Sequence, residues 1–200
     1  VVALRAAGAV ILGKTVTTEL ALLTPARTRN PHNLEHTPGG SSAGSAAAVA
    51  DHMVPAALGS QTAGSIIRPA SFCGVYGFKP TLGLVPRAGV LMQSHTLDTV
   101  GVYGRSVEDL ALITDCMIAF DPEDAASFRR ARPGLVGTAR ARPPIPPRLA
   151  FVKPPPWTDA DPDMKAAFAE LIARLGDRIV ELDLLLLADV VEWQRIVQLA

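Results

Sequence analysis

The sequence predicts an α/β fold, a sheet covered by helices, on three observations. Short apolar runs bounded by turn residues, such as Ala9–Leu12, Leu149–Val152 and Ile179–Leu182, have the length of buried strands. Val107, Leu110, Ile113 and Met117, and later Met164, Phe168, Leu171, Ile172 and Leu175, recur at helical spacing. The second of these helices lies between two of the strands, and a β–α–β order folds as a sheet with covering helices.

In chain order, Val1–Ala7 reads as the last turns of a helix that Gly8 stops, and Ala9–Leu12 as a strand. Thr17–Leu23 is a brief helix or extended run, and Pro25–Pro38, rich in Asn, His and Pro, is loop. Ser45–Ala50 has helix composition, with serines at its entrance. Val54–Leu58 suits a buried strand, and Gly59–Ser65 the loop that leaves it. From Phe72 to Gly104, glycines and prolines alternate with apolar pairs, as in loops and short strands packed round a site. Ser106 with Asp109 forms a capping box at the start of the next helix.

Ten of the 17 prolines lie between Pro122 and Pro162, and Arg129–Arg142 adds a basic cluster without interleaved aromatics. This composition predicts a surface excursion. Leu149–Val152 is the next strand. Asp161 then caps a helix with Pro162 at its first position, Gly176 ends it, and Ile179–Leu182 returns as a strand. The expected division is therefore 1–120, 121–148 for the excursion, and 149–200 for a further α/β part of the same domain. The chain starts at Val1 and stops at Ala200 inside amphipathic runs, so both ends are expected to be cut.

With 48% hydrophobic and 19% charged residues, the chain can bury a sizeable core. Its 19 basic residues balance 19 acidic ones, leaving no net field for nucleic acid or an anionic membrane. No run reaches the ~20 apolar residues of a membrane span. Cys73 and Cys116 are too few for a disulfide framework, which favours a reducing cytoplasmic setting and a role as small buried hydrophobes.

Three motifs compete as carriers of chemistry. Gly8-Ala-Val-Ile-Leu-Gly13-Lys14-Thr15 matches the phosphate loop pattern, but that loop must follow a strand, and here the central residues read as the strand. Gly40-Ser-Ser42-Ala-Gly44 matches the nucleophile elbow of α/β-hydrolases. The elbow needs a preceding strand, an acid and then a histidine. Asn33–Pro38 is a poor strand, and only His52 and His95 follow. His32, His36, His52 and His95 read as loop or surface residues, and their spacing suggests no metal site. The third motif is a pair of Gly/Ser clusters, Thr37-Pro-Gly-Gly-Ser-Ser-Ala-Gly-Ser45 and Gly59-Ser-Gln-Thr-Ala-Gly-Ser65, with Ser41 and Ser65 offset by 24 positions. On residues alone such clusters serve as turns and caps, or place a serine among backbone N–H groups that face a developing negative charge.

The two clusters and their offset, followed by Cys73-Gly-Val-Tyr-Gly-Phe-Lys-Pro-Thr81, resemble the core of the amidase signature family of serine hydrolases. Gly13-Lys14-Thr15 with Glu19, Asn30-Pro31, Leu97-Asp98-Thr99-Val100-Gly101 and Arg105-Ser-Val-Glu-Asp109 extend the likeness, densely from about Gly8 to Asp109. The resemblance implies that family's fold, with a mixed sheet covered by helices on both sides.

It also implies an amidase working without metal or cofactor on a small-molecule amide. Carried over residue by residue, Ser65 falls on the nucleophile and Ser41 on a bridging serine that follows a cis peptide bond. The N–H groups of Thr62, Ala63, Gly64 and Ser65 fall on the oxyanion loop, and Gly39, Gly40 and Ser42 on the supporting turn. The family's base is a neutral lysine upstream of Gly13, expected to lie outside this chain. Lys14, Lys79, Lys153 and Lys165 fall elsewhere, so residues 1–200 alone are expected to be inactive.

Neither a nucleic-acid nor a membrane partner is expected, and a homodimer of the full-length enzyme is one assembly the resemblance allows. Where the family often has Asp-Thr-Gly-Gly-Ser, this chain has Gln61-Thr-Ala-Gly-Ser65, which favours a stand-alone amidase over the glutaminase component of a tRNA amidotransferase. Outside the enzyme class, an inactive fragment or a binding module that keeps only the fold is the remaining alternative.

Overall fold

The computed structural model describes residues 1–22 and 24–199. Leu23 and Ala200, which close two of the runs named above, lie outside the described residues. Helix α1 (Val2–Ala6) is followed by Gly8 at φ +89°, where a Cβ would be strained. The expected strand Ala9–Leu12 does not form, and Val10 and Leu12 are exposed. Apolar β-branched residues suit a strand only when a neighbour completes the ladder, and among the described residues none pairs with this stretch. The Thr17–Leu23 run contains one 3₁₀ turn, Glu19–Ala21.

Helix α2 (Ala43–Ala50) begins two residues before the expected Ser45, and all of it except Ala50 is buried. Its Ala, Gly and Ser side chains make it narrow enough to be enclosed. The strand expected over Val54–Leu58 lies further on, as β1 (Ala57–Gln61). Gly59, Ser60 and Gln61, expected in a loop, are therefore in the sheet.

Packing overrides propensity here. Gly59 stands opposite Gly101 in the ladder. A Cβ on Gly59 would come within 2.7 Å of Ser42 Oγ, and one on Gly101 within 2.2 Å of the Phe78 carbonyl oxygen. The sheet admits its neighbours only where side chains are missing.

Helix α3 (Ile67–Phe72), strand β2 (Tyr76–Phe78) and strand β3 (Thr99–Gly104) follow. The sheet order is β1-β3-β2, antiparallel throughout. Consecutive residues of a strand face opposite sides, so Val102 and Tyr103 define two cores. Tyr103 packs with Ala46 and Val49 of α2 and with Ile66, Ala70 and Cys73 around α3. Val102 packs with Leu4 of α1, Val85, and Leu110 and Met117 of helix α4 (Val107–Met117). Both faces are thus covered by helices. Ser106 Oγ accepts the Asp109 N–H at 3.0 Å, as the capping pattern predicts, whereas Val107 is exposed.

The Pro/Arg-rich stretch contains a helix that composition did not announce, α5 (Leu135–Arg140). The carboxylate of Asp115 on α4 accepts the N–H groups of Leu135 and Val136, a cap supplied from 20 residues upstream. The first two arginines of the cluster pack on rings that precede it: Arg129 lies 4.3 Å from the Phe120 ring centroid and Arg130 5.5 Å from that of Phe128.

Contacts divide the chain into two units, Val1–Ala141 and Arg142–Ala200. In the second, strand β4 (Leu149–Val152), helix α6 (Pro162–Leu175) and strand β5 (Ile179–Leu182) fall where the sequence places them, with β4 and β5 parallel. Gly176 ends α6 at φ +52°. Phe168 of α6 meets Phe151 and Trp157 at ring-centroid distances of 5.5 and 5.4 Å. Met164 and Leu171, expected on the buried face, are exposed. Helix α7 (Val190–Leu199) follows. No described helix is long and apolar enough to cross a membrane.

Gly101→Ala is expected to lower stability by about 1–3 kcal/mol, because the new methyl meets backbone rather than a yielding side chain. Urea unfolding checks this, and Gly137→Ala, where the methyl meets open space, serves as the control.

Candidate active site

The two serine clusters meet at the N-terminal end of α2. Gly39 takes φ +81° with Pro69 against its back, and the Gly40–Ser41 peptide bond is cis. Ser41 is buried, and its carbonyl accepts the N–H groups of Thr18 at 3.0 Å and Ala43 at 2.8 Å. Its hydroxyl donates to no described residue. The segment Thr15–Thr18 runs beside this turn. Gly44 N–H donates to the Val16 carbonyl at 2.8 Å, and Thr15 Oγ1 lies 2.7 Å from Ser45 Oγ.

Ser42 ties the turn to the sheet. Its hydroxyl donates to the Ser60 carbonyl and accepts the Ser60 N–H, each at 3.3 Å. Its own N–H donates to the Ser65 carbonyl at 3.3 Å. That carbonyl also accepts the Tyr103 hydroxyl at 3.0 Å. Burial pushes the Tyr103 phenol far above its usual range, so it remains a donor. Ser65, half-buried, is thereby fixed through its backbone while its side chain makes no hydrogen bond to a described residue.

The loop between β1 and α3 is held from inside by Gln61. Its side-chain oxygen accepts the N–H groups of Ile66 at 2.8 Å and Ile67 at 2.9 Å, and its nitrogen donates to the Ala63 carbonyl at 3.2 Å. The N–H groups of Thr62, Ala63, Gly64 and Ser65 donate to no described residue. Four successive donors without a partner among the described residues, beside a serine whose side chain is also uncommitted, mark this loop out. A carboxylate at the Gln61 position could accept the same two N–H groups, but it could not make the donation to the Ala63 carbonyl.

Sequence reasoning gave no role to the residues that hold this loop from outside. Thr62 Oγ1 donates to the Asp98 carboxylate, which also accepts the N–H groups of Gln93 at 2.6 Å and Ser94 at 3.1 Å. Arg87 is buried and donates through Nη1 to the carbonyls of His95 and Asp98. Its Nε and Nη2 form a fork on Asp124, at 3.1 and 2.8 Å. The signal was present only as an unassigned Asp98 in the matched Leu97–Gly101 segment.

The competing motifs fare less well. No helix follows Lys14 directly, and its amine contacts the Thr15 carbonyl, so the phosphate-loop match lacks the helix N-terminus it needs. Ser42, the elbow candidate, has its hydroxyl bonded to the Ser60 backbone, and no described strand precedes it. Lys79 contacts the Pro80 carbonyl, and neither it nor Lys14 hydrogen-bonds to Ser41. Lys153 and Lys165 belong to the second unit, where they contact Glu181 and Thr158. Burial raises the Cys73 thiol to about 11, which keeps it protonated. An open cavity of about 540 Å³ is lined by residues including Arg87, Val90, Met92 and His95, and none of the serine-loop residues.

Asp124 has its pKa lowered to about 2, mainly by the hydrogen bonds from Arg87, with burial opposing. A depressed carboxylate pKa stabilises the fold above the ordinary value near 4, and this contribution is lost as pH falls through about 2. Asp124→Asn should cost roughly 3–5 kcal/mol at neutral pH, since it leaves the Arg87 charge buried without its partner. It should also flatten the stability profile between about pH 4 and 2, which urea unfolding across that range measures.

A family model described as Amidase matches residues 1–195. A glutamyl-tRNA(Gln) amidotransferase subunit from Legionella pneumophila (strain Corby) is 47% identical over 132 residues, 63% of this chain and 27% of that protein. The protein of the same name from Ralstonia pickettii (strain 12J) is 41% identical over 203 residues, 90% of this chain and 40% of its own length. Among solved structures, the native peptide amidase from Stenotrophomonas maltophilia superposes with a TM-score of 0.73 at 34% identity, over 91% of this chain and 40% of that one. A 6-aminohexanoate cyclic dimer hydrolase gives 0.76 at 35% identity with the same coverage. The chain spans no more than about two fifths of the length of these relatives. Its matched residues, its sheet covered on both faces and these likenesses lead to one conclusion: the chain belongs to the amidase family.

Proposed function

We propose that the chain carries the serine centre of an amidase that cleaves a carboxylic amide to acid and ammonia or amine. One observation carries this: Ser65, with an uncommitted side chain, stands at the end of a loop whose four N–H groups are free among the described residues. In the proposed reaction, Ser65 Oγ attacks the amide carbon while its proton passes to Ser41 Oγ and on to a neutral lysine amine. Desolvation is what keeps such a lysine neutral. The tetrahedral oxyanion then faces the N–H groups of Thr62, Ala63, Gly64 and Ser65. The C–N bond breaks, the leaving nitrogen takes the relayed proton, and water hydrolyses the acyl-enzyme.

A second function has a specific observation behind it. The relatives named as glutamyl-tRNA(Gln) amidotransferase subunits reach 47% identity over part of the chain. In that case the acyl-enzyme would come from a donor amide, and ammonia would pass to a second site. Co-purification of the complete protein with partner subunits would favour it; turnover of amides without partners favours the stand-alone amidase.

In the complete enzyme, Ser65→Ala should abolish labelling by a fluorophosphonate and lower kcat by at least roughly 10³-fold. Ser41→Ala should slow acylation strongly, and the double variant should be little worse than Ser65→Ala, since residues acting as a unit lose activity non-additively. If Ser42→Ala matched Ser65→Ala, the hydrolase elbow would replace this mechanism.

Residues 1–200 expressed alone are expected to turn over no amide. Neither Lys14 nor Lys79 hydrogen-bonds to Ser41, and Lys153 and Lys165 are engaged by Glu181 and Thr158. Turnover within tenfold of the complete enzyme, abolished by Ser65→Ala, would place the base among those four lysines.

A further inference from the structure

We propose that Asp98 is a positioning residue for the oxyanion loop, acting through the hydroxyl of Thr62; this rests on the role given to Ser65 and its loop above. Thr62 is the first residue beyond β1, and its N–H begins the row of four free donors. Residues at such a junction ordinarily have one soft ψ and a rotating hydroxyl. Here the hydroxyl donates to a buried carboxylate, and a hydrogen bond to an ionised acceptor is roughly twice as strong as a neutral one. The bond fixes the Thr62 side chain, and with it the plane of the peptide whose N–H begins the row.

The anchor is itself rigid. One Asp98 oxygen accepts from Thr62, and the other accepts the N–H groups of Gln93 and Ser94. Its backbone carbonyl accepts Arg87 Nη1 at 2.9 Å, and its N–H donates to the Ser94 carbonyl at 3.1 Å. Arg87 in turn is forked onto Asp124. Gln93 adds a further tie, donating from Nε2 to the Leu20 carbonyl at 2.6 Å. Gln61 grips the far end of the same loop at Ile66 and Ile67. With both ends held, the donors between them need no reorganisation when charge develops, and preorganised donors act through that saving.

A purely structural Asp98 would serve only the Gln93–Asp98 turn, and the two roles separate at Thr62. Thr62→Val removes the hydroxyl but leaves the Gln93 and Ser94 bonds to Asp98 in place. In the complete enzyme, Thr62→Val and Asp98→Asn should each lower kcat by about 10- to 100-fold, less than the 10²–10³ of a deleted oxyanion donor. KM should stay within about threefold, and fluorophosphonate labelling of Ser65 should slow in parallel. Thr62→Ser, which restores the hydroxyl, should recover most of the rate. The double variant Thr62→Val/Asp98→Asn should be no worse than the poorer single variant.

Thr62→Val within twofold of the parent in kcat would overturn the proposal, even if Asp98→Asn were impaired, because Asp98 would then act on its turn alone. Failure of Thr62→Ser to rescue would overturn it equally. Ser65→Ala is run beside these variants. If it retains turnover, the nucleophile assignment falls and the positioning role falls with it. If it is inactive while Thr62→Val is normal, only the positioning role is lost.

Discussion

The close approach of α2 to β1 is the contact on which the rest of the site depends. It is possible because Gly59 has no side chain: a Cβ there would lie 2.7 Å from Ser42 Oγ and 2.8 Å from Tyr103 Cε2. The hydroxyl of Ser42 therefore reaches the backbone of Ser60, and Ser45 Oγ donates to the Leu58 carbonyl at 2.7 Å. Once that seam is closed, Ser42 N–H reaches the Ser65 carbonyl. Two serine clusters far apart in sequence become one object through this seam. Nothing about it relies on strong interactions. It is a row of neutral hydrogen bonds, each modest in net stability but costly to leave unmade in a buried place.

The sequence was most legible where local rules and packing agree. The Ser106 cap, the Asp161-Pro162 start and the Gly176 stop lie where the pattern puts them, because each is set by local chemistry: a side-chain cap at Ser106, a proline at the first helical position after Asp161, and a glycine at positive φ at Gly176. Strands β4 and β5 pair with each other on either side of one helix, so their apolar runs also read correctly. The misplaced elements share a different cause. Ala9–Leu12 has strand composition but no ladder partner among the described residues, and β1 moves onto Gly59-Ser60-Gln61 because packing demands small residues there. Helix α5 begins where Asp115 supplies a cap from another element, and no window of local sequence contains that information.

The candidate site divides along the same line. Ser41, Ser65 and the loop Thr62–Ser65 stand out as candidates in the sequence because their glycines and serines are contiguous and resemble a family pattern. The side chains that hold the loop do not. Gln61 was noticed only as a missing charge, yet its oxygen caps two N–H groups of the helix that follows. Tyr103 lies 38 positions from Ser65, and Asp98 and Arg87 lie 36 and 25 from Thr62; only the folded chain sets them there. Their chemistry is ordinary in sequence and specific in place.

The buried charges explain why the loop can keep its donors free. The four N–H groups have no partner among the described residues, and a shift of the loop could turn them inward. Rearrangement is opposed at both ends: Gln61 and the carbonyl bonds of Ser65 hold one side, and the Asp98 carboxylate holds Thr62 on the other. Asp98 can do this because its own position is not negotiable. Arg87, forked on Asp124 and bonded to two carbonyls, would leave a buried charge unpaired if the 87–98 loop shifted. An ion pair in the interior is a poor source of net stability, but it is a strong penalty against displacement. The polar network acts on the backbone of one loop, and the N–H groups left without a partner among the described residues are the ones proposed to face a substrate.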